Sequence, residues 1–133
     1  MRRSNAVRRR GRRARRDAGA EHAAAFRDAY RADDPIALAR LLAPDVCVVV
    51  DTGGLAGAAP GPAVGTTAAL TLLRVALGTP GALRLDIRSV NGRAGLLAER
   101  AGRPVAVLAF DGDADGIEHV WVVTNPAKLD RWS

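Results

Sequence analysis

A chain of 133 residues has room for one domain and not two, and its 48% hydrophobic content can fill a core that, with only 4% aromatics, must rest mainly on Leu, Val and Ala. The net charge of +6 belongs to one end: residues 1–16 hold nine Arg and no acid, leaving eleven basic against fourteen acidic residues and a body of −3. One cysteine, Cys47, excludes an intramolecular disulfide framework, and no apolar run approaches the ~18 residues of a membrane span, so a cytoplasmic protein with no membrane partner is expected.

Residues 1–16 carry no apolar period and are expected to form a disordered Arg-rich arm, with residues 17–133 as the folded domain. An arm of this kind can neutralise phosphates of RNA or DNA. It holds no aromatic side chain to stack on bases, so a solvated tail is the competing reading. Residues 18–32 predict a helix with Ala23, Phe26 and Tyr30 near one face. Asp33-Asp34-Pro35 then offers an N-cap followed by Pro at the first helical position, which predicts a second short helix that Pro44 ends.

Asp45 to Asp51 reads as a strand, apolar on both sides until Asp51. Thr52-Gly53-Gly54 turns the chain, Leu55 to Ala59 is expected to return as a short strand, and 61–65 is a Pro/Gly loop. Thr67 is placed to cap a third helix over Ala68 to Leu77, where Leu70, Leu73 and Leu77 share a face and Gly78 supplies the stop.

The rest of the chain predicts a four-strand meander. Leu83 to Arg88 alternates apolar with polar, the signature of a strand with one buried face. Asn91-Gly92 closes it as a two-residue turn, because both positions need positive φ. Val90 then faces Arg93, and the register sets Leu85 against Ala98, Ile87 against Leu96 and Arg84 against Glu99. A second turn at Ala101-Gly102-Arg103 leads into Pro104 to Phe110, and an acidic turn over Asp111 to Gly116 leads into Ile117 to Val123. These last two strands are apolar on both faces, so each face needs a cover. The order of elements predicts an α+β fold in which a curved antiparallel sheet wraps round three helices, cone-shaped and with an oily concave side. The doubly apolar strands also predict a homodimer on the outer sheet face.

Candidates for acid/base chemistry are few. Asp51 ends an apolar strand on the face of Cys47 and Val49, where a raised pKa would suit proton abstraction; its competing reading is an Asx-type cap on the following turn. The alternation places His119 with Ile117, Trp121 and Val123 on one face, directed either into a hollow as a base or against the core as a hydrogen-bonded residue. Tyr30 is read as a packing residue with its hydroxyl at the rim. Cys47 reads as a small apolar filler. Asp111, Asp113 and Asp115 alternate as in a calcium loop, but the later acidic ligand is missing, so a solvated turn is preferred. No spacing of His, Cys and acids predicts a metal or a cofactor.

Leu42-Ala43-Pro44-Asp45-Val46, Asp51-Thr52-Gly53-Gly54-Leu55, Val64-Gly65, Val90-Asn91-Gly92 and Asn125-Pro126-Ala127-Lys128-Leu129 together resemble the SnoaL-like C-terminal extension of extracytoplasmic-function sigma factors of the sigma-70 family. The resemblance covers about residues 18–132 and implies the nuclear-transport-factor-2-like cone, a cystatin-like α+β roll. It implies a regulatory or ligand-binding module in transcription regulation, with a sigma core or RNA polymerase as partner and a small apolar ligand in the cone. The candidate ligand- or partner-binding residues are Asp51, Gly53, Gly54, Trp121, Asn125, Pro126 and Lys128, with a plain C-terminal clamp as the competing reading of Asn125-Pro126 and Lys128. Enzymes of the same superfamily imply the alternative, a small isomerase, cyclase or hydrolase with Asp51 or His119 as general base. Thr52, Leu55, Pro60-Gly61 and Ala127 depart from the family pattern at positions that usually carry glycine or charge, and sixteen residues of arm cannot hold promoter-reading domains. The chain is therefore expected to be the extension alone.

Overall fold

Phe26, Tyr30 and Ala23 recur at helical spacing and are all buried, which is why residues 18–31 form a helix (α1) with one face committed to a core. A computed structural model describes residues 18–53 and 61–132. The arm, Gly54 and the expected return strand at Leu55 to Ala59 lie outside the described residues.

Helix α2, Pro35–Leu41, starts as its sequence dictates: Asp34 Oδ1 accepts from the Ala37 amide at 3.0 Å, with Pro35 at the first helical position. Strand β1, Leu42–Asp51, follows directly. The chain then makes a two-residue strand β2, Ala63–Val64, inside the stretch expected to be loop, because Cys47 and Val48 offer it an open edge to pair with. Helix α3, Thr66–Leu77, begins two residues earlier than expected. Gly65 is its N-cap and no side chain caps it, so Thr67 does not play that part. Its buried stripe is Ala69, Leu73 and Leu77, with Leu70 at the margin.

Strands β3 (Leu83–Val90), β4 (Arg93–Arg100), β5 (Arg103–Asp113) and β6 (Gly116–Val123) form the expected meander. The β3–β4 register is the predicted one at every named pair, with Asn91 and Gly92 at φ 52° and 78°. The acidic turn is shorter than expected, since β5 and β6 run on to Asp113 and Gly116. A four-residue helix α4, Pro126–Leu129, and a 3₁₀ turn, Asp130–Trp132, follow β6, so the helices among the described residues number four rather than three.

Among the described residues, six strands form one curved, unclosed sheet in the order β2-β1-β6-β5-β4-β3. The expected antiparallel pairing holds at four of the five contacts; β1 against β6 is parallel, which makes the sheet mixed. Its concave side carries the main core, where Phe26, Leu73, Leu85, Leu96, Leu108 and Val120 are at most 1% exposed. A second, smaller core of Val90, Leu97, Val107 and Leu129 lies on the outer side, under the C-terminal turn. The doubly apolar strands are thus covered by helices on one face and, in part, by the chain's own C-terminus on the other. Among the described residues, no helix is long and apolar enough to cross a membrane.

Candidate functional site

The parallel β1–β6 pair brings together two stretches that are far apart in sequence. Asp51 stands opposite Val123, and the Thr124 amide donates to the Asp51 carbonyl at 2.8 Å, so the chain leaves β6 directly over the β1 turn. Asn125 caps α4, its Oδ1 accepting from the Ala127 amide at 3.1 Å, and Pro126 sets the first helical φ. One turn on, Lys128 Nζ donates to Asp51 Oδ2 at 2.6 Å, while Asp51 Oδ1 accepts from the Gly53 amide at 2.9 Å. Asp51 therefore ends its strand as the cap of a turn and holds the C-terminal helix at the same time.

Gly53 is required here for two reasons. Its φ is +72°, and a Cβ on it would lie 2.5 Å from Asn125 Cγ. Gly53→Ala is expected to destabilise the fold by about 1–2 kcal/mol, the usual penalty of a left-handed L-residue. Part of that loss should disappear in an Asn125→Ala background, because Asn125 no longer has to leave its cap; additive losses in denaturant titration would show that the two residues do not touch.

The hydrogen bond from Lys128, and after it the one from the Gly53 amide, holds the Asp51 carboxyl below its ordinary value of 3.8. A lowered carboxylate pKa means that the clamp contributes above about pH 4 and is lost as the pH falls through the lowered value. Because the pair is exposed and screened by salt, the effect is local and not a global unfolding. Trp132 packs at the clamp's end, so its emission is expected to shift to the red on acidification, and Lys128→Met should show that shift already at neutral pH.

The other candidates do not join this cluster. Trp121 lies two residues back on β6, on the same outer face and 42% exposed, with its ring stacked on His119 at 5.5 Å. His119 is exposed beside it, and not on the face of Ile117 as the alternation predicts. A bulge between Asp111 and Gly112 inserts one residue into β6, turning Ile117 into the core and His119 outward. Cys47 is half-buried on that outer face, level with His119. Tyr30 is buried against α3, its hydroxyl donating to the Gly78 carbonyl and the Arg74 guanidinium 5.8 Å from its ring centre. Burial pushes its phenol pKa up, away from a base's range.

His22 was not among the sequence candidates, yet it is the buried polar side chain of the described core: Nε2 sits 2.8 Å from the Asp113 carbonyl and pins α1 to the β5–β6 turn. Its place four residues before Phe26, on the buried stripe of α1, is the signal that could have found it. In the acidic turn Asp113 Oδ1 accepts from the Asp115 amide at 2.9 Å, and Asp111 pairs with Arg93 at 3.2 Å. Among the described residues, no three His, Cys or acid side chains are grouped to hold a metal ion.

An open curved sheet with helices packed in its concave side is the fold of nuclear-transport-factor-2-like proteins, the SnoaL-like class among them. Within that class the chain is similar to the extracytoplasmic-function sigma factor SigJ of Mycobacterium tuberculosis, at 26% identity and a TM-score of 0.60 over 81% of this chain. The match spans 42% of the sigma factor's length. An NTF2-like protein from Burkholderia xenovorans matches at 16% identity and a TM-score of 0.59, covering 89% of this chain and 95% of that one. A putative polyketide cyclase from Xanthomonas campestris matches at 15% identity and 0.56, covering 89% and 98%. No protein-family model matches the sequence, and no curated protein sequence matches it.

Proposed function

We propose that this chain is a regulatory module of the sigma-factor-extension type, acting in transcription regulation through a sigma core or RNA polymerase and carrying no proton-transfer chemistry of its own. The observation that carries this reading is the clamp. Asp51-Thr52-Gly53 and Asn125-Pro126-Ala127-Lys128, the two more specific pieces of the family resemblance, meet in one exposed corner with Lys128 presented at its surface. Similarity to SigJ over most of this chain supports the same reading. Kinship with the polyketide cyclase supports the enzymatic alternative only through fold, and fold does not set function. Neither Asp51 nor His119 faces the concave side, and the Asp51 pKa moves away from a general base's range.

The test is surface plasmon resonance of the full chain against an extracytoplasmic-function sigma core and against core RNA polymerase from the same genome. Binding is expected, weakened at least roughly tenfold by Lys128→Glu, a change of about 1.4 kcal/mol. Absence of binding to either partner, together with turnover of a polyketide-like or steroid-like substrate that Asp51→Asn abolishes, would overturn the proposal.

A further inference from the structure

The outer face of the sheet carries a groove alongside the C-terminal turn. It has two lobes, of about 460 and 410 Å³, with a common floor of Val90, Asn91, Val107 and Val123. Trp121, Ala109 and Arg93 bound the larger lobe; Trp132, Lys128 and Arg131 bound the smaller. Each lobe falls in the size range of small-molecule sites, which are mainly apolar with a few polar groups that fix orientation.

Among the described residues, the charged side chains that line the two lobes are cations. Arg93 lines the larger lobe and Lys128 and Arg131 the smaller, and two of the three are already paired, Arg93 with Asp111 and Lys128 with Asp51. Arg93 is 53% exposed at its side chain, so its planar fork keeps donors for a second anion while one nitrogen serves Asp111. Trp121 adds a flat apolar wall, fixed by its stacking on His119. All of this lies on the opposite side of the sheet from the main core.

We propose that the larger lobe binds a small apolar anion, a ring or short hydrocarbon chain bearing one carboxylate or sulfonate. The hydrocarbon lies on Val107, Ala109 and Val123 against Trp121, and the anionic group meets Arg93. This site stands apart from the transcription partner proposed above, and its test contains neither sigma core nor polymerase.

The protein has two tryptophans, and both border the groove. An amide correlation spectrum of the full, nitrogen-15-labelled chain therefore shows two indole N–H signals, both of them reporters. Titration with 1-naphthoate is expected to shift the Trp121 signal saturably, with Trp121→Phe assigning it. The neutral isostere 1-naphthamide should bind at least roughly tenfold more weakly, and Arg93→Gln should weaken 1-naphthoate by a similar factor while leaving 1-naphthamide unchanged. Equal affinities for the two probes, or 1-naphthoate binding that Arg93→Gln leaves intact, would overturn the site. So would indole shifts that follow protein concentration without any probe, which would assign the groove to a second copy of the chain.

Discussion

Replacing Phe26 by Ala is expected to lower the unfolding free energy by about 3–5 kcal/mol, a large share of the 5–15 kcal/mol that a domain of this size holds. Phe26 is fully buried where α1 meets the sheet, 5.2 Å from the ring of Phe110 and 5.8 Å from that of Tyr30. With 4% aromatics in the chain, few neighbours are large enough to close the void, so the cavity should persist and add to the lost transfer energy. A second consequence follows through Tyr30. Its hydroxyl ties α1 to the end of α3 at Gly78, and loss of the stacked ring frees it to reorient. Urea titration should show a lower midpoint with an unchanged slope. Phe26→Leu should recover more than half of the loss, whereas Ile36→Ala, at a position 66% exposed, should stay within about 0.5 kcal/mol of the parent. A loss below about 1 kcal/mol for Phe26→Ala would mean that α1 does not plug the concave side.

What the sequence revealed follows from the range of the forces that set each feature. The β3–β4 hairpin is readable because Asn91-Gly92 fixes the turn and a one-residue slip would expose Leu85 and Leu96, so local chemistry and burial agree. The Asp34 cap and Pro35 define α2 for the same reason. The parallel pairing of β1 with β6 carries no such mark. Val46, Val48 and Val50 suit any central strand, and their partner is about seventy residues away. That one unread pairing decides the candidate site, because it sets the Asp51 turn beside Asn125 and Lys128 and places Asp51 on the outer face. The resemblance singled out those residues without showing that they touch. The extra strand β2 escaped notice because two residues have no period to read.

The misplacement of His119 has a single physical origin, and Gly112→Ala tests it. Strict alternation from Ile117 puts His119, Trp121 and Val123 inward, yet the structure buries Ile117 with Val120 and Val122 and sends His119 and Trp121 out. The register slips between Asp111 and Gly112, where a Cβ on Gly112 would lie 2.2 Å from the Gly116 carbonyl oxygen, 2.9 Å from the Ile117 Cα and 3.1 Å from the Glu118 amide nitrogen. All three are backbone atoms, and a paired backbone yields far less readily than the tip of a side chain. Gly112→Ala is therefore expected to cost about 3 kcal/mol, the upper end for overpacking. Removing the bulge instead would set Ile117 and His119 on one face, so that either His119 enters the apolar core or Ile117 leaves it, and slippage offers no relief. Gly81→Ala, where a Cβ meets nothing within 4 Å, should be neutral or stabilise by up to about 1 kcal/mol. Urea midpoints that place the two alanine variants together would show that the bulge does not depend on Gly112. The outward stacking of His119 and Trp121, and the groove beside them, would then need another cause.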